Sequence, residues 1–328
     1  MKGAKFLRNP VASIFVLLFT TKSTPLNIEF TVLGTGSANP QLDRNPSAYL
    51  LSLDNEYILI DCGEGTQYRL LEQHIKHTRM RHILISHLHG DHYFGLIGLI
   101  SSLNLNRRTE PLTLIGPPGL GEILTLQFKH SSTSLFFDLN FVETDPSVSQ
   151  LVYEHPLFSV TTVPLVHRIP CNGYVITTKP SPRKMWKEMM PENFPIPYIV
   201  KLKNGEDVTD ELTGKVYKSV DYTKPGKPAK KIAYCSDTAY SEPVIPIIAG
   251  ADLLFHEATF NNSNEERATF THHSTARQAG LIAKQANVKK LIIGHYSSRY
   301  KEVETHLIEA KEVFENTLLG NEGLKVKV

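Results

Sequence analysis

The sequence has few cysteines, little excess charge and no long apolar run. Its 328 residues contain Cys62, Cys171 and Cys235, which form no Cys-x-x-Cys pair. We therefore expect no disulfide framework. We expect a reducing compartment such as the cytoplasm. The formal net charge is +2, so a nucleic-acid site would need local clustering of basic residues. With 41% hydrophobic and 21% charged residues, the chain reads as one large α/β domain or two small ones.

Residues 1–26 lie outside the pattern of strands and helices that follows. Basic residues precede the apolar run 11–19, which superficially suggests a secretory signal. The run is too short to span a membrane, and residues 20–24 lack a small-residue cleavage site. We therefore expect a leader or extension outside the fold rather than a working signal, and no membrane association.

Histidine is overused, with 14 in the chain, and three of them stand together. His87 and His89 follow an apolar strand, residues 83–86, and point to one face of extended backbone because they are two residues apart. Asp91 and His92 follow after a turn, and their side chains can face a second position near the first. Packing does not explain four ligand-type side chains within six residues, so the spacing predicts a metal site.

Further ligand-type side chains come where later strands end. His167 and His295 each follow a β-rich run, and His167 is a candidate third ligand for one metal. Asp237 also follows a strand, and a carboxylate there is the right type to bridge two cations. Asp61, at the end of an earlier strand, is placed to orient a metal-bound histidine from outside the ligand set.

Local patterns predict several other elements. The glycine-rich segment 34–37 is more typical of a tight turn than of a phosphate site. An apolar helix is expected over 93–103, a final amphipathic helix over 303–318 and a closing edge strand over 324–328. Ser274 is a plausible N-cap of an alanine-rich helix.

Residues 179–231 interrupt the regular α/β pattern. This window holds seven of the 20 prolines, 12 Lys and Arg and seven Asp and Glu, which gives a net charge of +5 (12 − 7). A solvated, disordered insertion is one interpretation of such a segment. A protruding basic arm that meets a polyanion is the other, and composition does not separate them.

Several short motifs follow one another along the chain: Gly-Thr-Gly-Ser, Asp-Cys-Gly-Glu-Gly-Thr-Gln, His-Leu-His-Gly-Asp-His, Ser-Asp-Thr, His-Glu-Ala-Thr-Phe, His-Ser-Thr and His-Tyr-Ser-Ser-Arg-Tyr. In kind and order they resemble those of the ribonuclease Z family, the tRNA 3′-processing endonucleases of the metallo-β-lactamase superfamily. The likeness covers about residues 27–328 and resembles the short form of that enzyme. It implies an α/β fold of four αβ/βα layers, with two packed mixed sheets and residues 179–231 as an inserted flexible arm.

The resemblance also implies two Zn²⁺ per chain and a particular ligand set. One zinc would be held by His87, His89 and His167, the other by Asp91, His92 and His295. Asp237 would bridge them. The reaction implied is attack of metal-activated water on a phosphodiester, which removes the 3′ trailer of precursor tRNA and leaves a tRNA 3′-hydroxyl.

The same resemblance implies catalytic roles for Asp91 and His273. Asp91 could both bind a metal and orient the nucleophile. His273 would stabilise the scissile phosphate or protonate the leaving oxygen. Glu257 and His256 are expected just outside the ligands. Arg299 either binds phosphate or caps local structure, and the sequence leaves both open.

The family likeness favours the second interpretation of residues 179–231, a tRNA-binding exosite with Lys201 and Lys203 as candidate contacts, and it implies a homodimer. Two rivals remain open. One is a superfamily hydrolase acting on small phosphodiesters or thioesters, which would have no use for a basic arm. The other is a metal-free RNA-binding homologue, which would be expected to have lost ligands first.

Overall fold

The computed structural model describes residues 27–328 and the backbone of Lys5–Phe6. Lys5–Phe6 pairs in parallel with Asn140 and Phe141. The rest of the expected leader lies outside the described residues. Among the helices that are described, none is long and apolar enough to cross a membrane.

The described chain divides into two compact units. The main unit comprises Asn27–Thr177 and Lys231–Val328, and the inserted unit comprises Thr178–Lys230. The predicted insertion, 179–231, therefore coincides with a structural unit to within one residue at each end.

Strands occur along the whole length of the described chain. They are β1 (Lys5–Phe6), β2 (Ile28–Gly34), β3 (Gly36–Ser37), β4 (Ala48–Leu53), β5 (Glu56–Cys62), β6 (Met80–Leu84), β7 (Leu112–Gly116), β8 (Leu139–Glu143), β9 (Leu151–Glu154), β10 (Phe158–Pro164), β11 (Asn172–Thr178), β12 (Lys184–Met185), β13 (Val208–Thr209), β14 (Val216–Tyr217), β15 (Thr223–Lys224), β16 (Lys231–Cys235), β17 (Leu253–Glu257), β18 (Leu291–Gly294), β19 (Tyr296–Ser297), β20 (Thr317–Leu319) and β21 (Lys325–Lys327).

The helices lie between these strands. They are α1 (Thr66–Glu72), α2 (Gly90–Tyr93), α3 (Leu96–Leu105), α4 (Leu120–His130), α5 (Ile196–Lys203), α6 (Ser219–Tyr222), α7 (Val244–Ile248), α8 (Glu265–Thr271), α9 (Ala276–Gln285) and α10 (Glu304–Lys311), with short 3₁₀ turns at His77–Arg79, Lys187–Met189 and Asn262–Asn264.

Two large sheets build the main unit. The first has the order β1-β8-β7-β6-β5-β4-β2-β21 and the second β20-β18-β17-β16-β11-β10-β9. Both are mixed: β5 to β8 and β16 to β18 run parallel, whereas β2, β4 and β5 alternate and β11 runs against β16. The carboxyl ends of parallel neighbours meet at one edge of each sheet, where α/β folds place their sites.

Alternation along the strands separates an aromatic inner face from an aliphatic outer face. Tyr49 of β4 contacts Tyr234 of β16 and Phe255 of β17, with ring centroids 5.3 and 4.3 Å apart. The adjacent residues Leu50 and Leu254 point the other way, into clusters with the helices. Large aromatic rings therefore join the two sheets face to face.

Helices cover the outer face of each sheet. Buried leucines of α3 and α4 pack with Ile83 of β6 and Leu114 of β7, and alanines of α9 pack with β16 to β18. These layers confirm the predicted α/β architecture of two packed mixed sheets between helices.

The inserted unit has a core of its own. Phe194, Leu202 and Val208 are buried there and pack with tyrosines that include Tyr217 and Tyr222. Helices α5 and α6 and the strand pairs β12–β15 and β13–β14 form around this cluster. A disordered segment, the first interpretation of its composition, is therefore not what the window forms.

Some local predictions were wrong. The final helix ends at Lys311, and Thr317–Leu319 is instead strand β20, because it pairs in parallel with β18. Thr275, not Ser274, caps α9: its hydroxyl accepts from the Gln278 N–H, and the Gln278 side chain accepts from the Thr275 N–H. The edge strand at the end of the chain is confirmed as β21, which pairs with β2.

Candidate metal centre

Three histidines and one aspartate form the first group of facing ligand atoms. Nδ1 of His89 lies 3.0 Å from Nε2 of His87 and 3.1 Å from Nε2 of His167. Oδ2 of Asp237 lies 3.6 Å from Nε2 of His87 and 3.7 Å from Nε2 of His167. His87 and His89 follow the carboxyl end of strand β6, His167 follows that of β10, and Asp237 follows that of β16.

A second group stands on the other side of Asp237. Nε2 of His92 and Nε2 of His295 are 3.3 Å apart, and Oδ2 of Asp91 lies 3.5 Å from each. Oδ1 of Asp237 is 3.4 Å from His92 and 3.2 Å from His295. Asp237 thus presents one carboxylate oxygen to each group.

These distances and atom types fit cations. Nitrogen ligands 2.0–2.1 Å from a tetrahedral zinc lie about 3.3 Å from one another, close to the spacings found here. Oδ1 of Asp237 is buried without a hydrogen-bond partner. Burial, with the neighbouring His92, lowers the pKa of His87 well below its usual value, which favours the neutral imidazole that binds metal. A cation between these facing ring nitrogens would satisfy them.

The outer ring nitrogens of His87 and His92 are held by hydrogen bonds that lead to Asp61. Nδ1 of His92 lies 2.8 Å from Asp61 Oδ2, and Nδ1 of His87 lies 2.9 Å from the hydroxyl of Ser86. Ser86 donates its N–H and its hydroxyl to Asp61, and the Tyr234 hydroxyl donates as well. Asp61 therefore lies behind His87 and His92, as the sequence led us to expect, and its role in orienting a metal-bound histidine stays a prediction.

His295 and His167 are oriented from behind in the same way. Nδ1 of His295 lies 2.9 Å from the hydroxyl of Thr259, which donates to Oε2 of Glu257. Nδ1 of His167 lies 3.0 Å from the carbonyl oxygen of His272. Such contacts fix ring orientation and the tautomer that leaves the inner nitrogen for a metal.

Sequence reasoning missed Ser86, Thr259 and Tyr234. Ser86 directly precedes the histidine motif and Thr259 lies inside His-Glu-Ala-Thr-Phe, so position within the motifs was the available signal. Tyr234 carried no such signal, because it reaches the site from the opposite sheet.

The backbone at Asp61 and His295 adopts left-handed φ values of 56° and 62°, a conformation that costs energy and clusters at functional sites.

His273 joins Glu257 at the border of the second group. Its Nδ1 lies 2.8 Å from Glu257 Oε1, and Glu257 also accepts from the N–H groups of Thr238, Thr259 and Ser274. Although burial opposes it, the Glu257 carboxylate raises the pKa of His273 to about 9. Ligand atoms of Asp237, His273 and His295 also lie within 4.8 Å of one another.

His256, in contrast, was wrongly expected beside the ligands. Its Nδ1 lies 2.7 Å from the carbonyl oxygen of Glu257 rather than against a ligand histidine. Adjacent residues of a strand face opposite sides, so β17 can direct only one of the two inwards, and it directs Glu257.

A cleft of about 590 Å³ opens over the two groups. Its lining includes His89, Asp91, His167, Asp237, His273, Phe94 and the arginines Arg168, Arg267 and Arg299. Arg299 lies over the Phe260 ring at 5.1 Å and donates from Nε to Ser297. Arg299 thus makes local contacts and also lines the cleft, so phosphate binding by this residue stays a prediction. Lys201 and Lys203 belong to helix α5 of the inserted unit.

Comparison with known proteins gives matches over most of the chain. A family profile described as anti-Pycsar protein Apyc1 matches residues 28–151. Ribonuclease Z of Cytophaga hutchinsonii is 46% identical over 299 residues, which cover 91% of this chain and 95% of that protein. Ribonuclease Z of Bacteroides fragilis is 42% identical over 302 residues, 92% of this chain and 99% of that one.

Solved structures agree. The short form of human tRNase Z has a TM-score of 0.66 at 26% identity and covers 91% of this chain and 98% of its own. The metallo-β-lactamase fold protein YhfI of Bacillus subtilis has a TM-score of 0.65 at 19% identity, covering 92% and 100%, and shows the fold alone. Because relatives above 40% identity are matched over nearly their full length, the chain belongs to the ribonuclease Z family.

Proposed function

We propose that the cleft holds two zinc ions, one in each group of facing ligand atoms, with Asp237 as the bridge. The observation that carries this proposal is the orientation of the Asp237 carboxylate, whose two oxygens face different groups. The ligands would be His87, His89 and His167 on one side and Asp91, His92 and His295 on the other.

The enzyme is a metal-dependent endoribonuclease that processes the 3′ ends of precursor tRNAs. Zinc held by these residues would supply a water of lowered pKa, towards about 7, as the nucleophile and would neutralise charge on the scissile phosphate. Asp91 orients the nucleophile, and its Oδ2 is itself fixed by the N–H of Ala38 at 2.7 Å. His273, with its ring set by Glu257, protonates the leaving oxygen, so that the tRNA keeps a 3′-hydroxyl.

The inserted unit is proposed as an exosite for the tRNA body. Its support is the excess of basic residues in the window and the folded core around which they are displayed. Lys201 and Lys203, in the last turn of α5, are the proposed phosphate contacts, with Arg299 in the cleft of the main unit. The homodimer and the cytoplasmic location stay predictions, which light scattering and fractionation would test.

Metal removal tests the proposal. Chelation should abolish cleavage of a 3′-extended precursor tRNA, and zinc added back at about two equivalents per chain should restore it. Cleavage that survives complete chelation would contradict metal-assisted hydrolysis. Binding of the precursor with no cleavage in any metal would instead favour a non-catalytic RNA-binding protein.

A further inference from the structure

One aromatic ring stands exposed in the cleft. Phe94 directly follows α2, which carries Asp91 and His92, and its side chain is 60% exposed. The ring covers Gly90 so closely that a Cβ atom at Gly90 would lie 2.2 Å from Cε2 of Phe94. The Phe94 ring therefore packs against Gly90 but stays exposed to solvent.

Folding does not account for this exposure. Leu96 and Leu99, on the helix α3 that follows, are 0% and 2% exposed and pack into the core cluster with β6 and β7. A phenylalanine that stays in solvent beside them gains little of the hydrophobic stabilisation available to them. Its position is therefore better explained by a ligand that covers it.

The surroundings of Phe94 indicate the chemistry of that ligand. Arg168, Arg267 and Arg299 line the same cleft and can pair with phosphate oxygens. Unpaired RNA is the ligand that offers both a negative backbone and a flat base for stacking, and proteins bind it with aromatic rings inside cationic grooves.

We propose that Phe94 is a stacking platform for an unpaired base beside the scissile phosphate. Phe94 would thereby determine specificity, because it favours precursors that are single-stranded at the cleavage site. The inference rests on the proposed function, because it takes precursor RNA as the ligand.

Binding can be measured separately from cleavage. The probe is a 3′-extended precursor tRNA with a non-hydrolysable phosphonate at the scissile linkage, titrated against zinc-loaded protein. Phe94→Leu keeps an apolar cover on Gly90 but loses the ring, so its Kd should rise about 5- to 150-fold, the range found when a base loses an aromatic partner. Phe94→Tyr should restore binding. Phe136→Leu is the matched control, since Phe136 is 55% exposed and does not line the cleft.

Abasic probes then decide whether the ring meets a base. With the base removed at one of the two nucleotides flanking the linkage, Phe94→Leu should bind as well as the wild type, because the two losses concern one contact. An unchanged Kd for Phe94→Leu, or an equal loss with every abasic probe, would overturn the proposal. Cleavage of the ordinary precursor by the wild type tests the proposed function independently of these titrations.

Discussion

Oε1 of Glu257 accepts a hydrogen bond from Nδ1 of His273 over 2.8 Å. Glu257 is fully buried and its other contacts are with backbone N–H groups and the Thr259 hydroxyl. A carboxylate held by so many donors has one orientation, and it imposes one orientation on the His273 ring. The pair therefore positions a proton donor in the cleft without using a metal ligand of either proposed triad.

His273→Ala should keep its metal and lose most turnover. Loss of a general acid or an oxyanion contact costs about 10²–10⁴-fold in rate. Single-turnover cleavage of a precursor tRNA measures the effect, and His130→Ala, at the exposed end of α4, is the control. If the His273→Ala protein cleaves at the wild-type rate, the residue has no part in the reaction.

Asp237→Ala should weaken both metal sites together. The substitution removes the bridging carboxylate and leaves two cations facing each other unshielded. Elemental analysis should find about two zinc ions per wild-type chain and fewer in the variant. Asp145→Ala is a suitable control, because Asp145 lies exposed in a loop and accepts hydrogen bonds from the N–H and the hydroxyl of Ser147. A wild-type protein that binds at most one metal tightly would contradict the dinuclear arrangement.

Asp61→Asn should lower metal affinity without touching a ligand. An amide in place of the carboxylate turns an NH₂ group towards hydroxyl and ring donors that now have no acceptor. Loss of such an outer partner costs about 10- to 100-fold in metal affinity. Competition with a chromophoric chelator measures it, with Asp54→Asn, in the exposed turn after β4, as control. Equal zinc affinity in both variants would remove Asp61 from the metal site.

Replacement of residues 183–227 by a short Gly/Ser linker should spare the main unit and its zinc, because the inserted unit has a separate core. KM for precursor tRNA should rise, and its salt dependence should flatten by roughly 0.7–0.9 in log–log slope for each lost phosphate contact. Hydrolysis of a small chromogenic phosphodiester should barely change. Equal damage to both substrates would mean that the segment belongs to the folded core or the active site.

The sequence could predict which ligand-type side chains come together because its signals are local. His87, His89, Asp91 and His92 lie within six residues, and the remaining ligands each follow an apolar strand. The structure brings all seven predicted ligands into two facing groups, although their role as zinc ligands stays a prediction.

What the sequence could not predict depends on contacts between distant segments. Tyr234 reaches Asp61 across the two sheets, 173 residues away in sequence. Thr317 and Leu318 were predicted to end the final helix, but pairing with β18 places them in strand β20. His256 and Glu257 could be separated only by knowing which face of β17 meets the site.

The most direct test of the account is to map the cut in a 3′-extended precursor tRNA incubated with the zinc-loaded enzyme. A single cut at the end of the acceptor stem, with a 3′-hydroxyl on the tRNA and a 5′-phosphate on the trailer, is the predicted result. An intact precursor, together with rapid hydrolysis of small phosphodiesters by the same preparation, would contradict it.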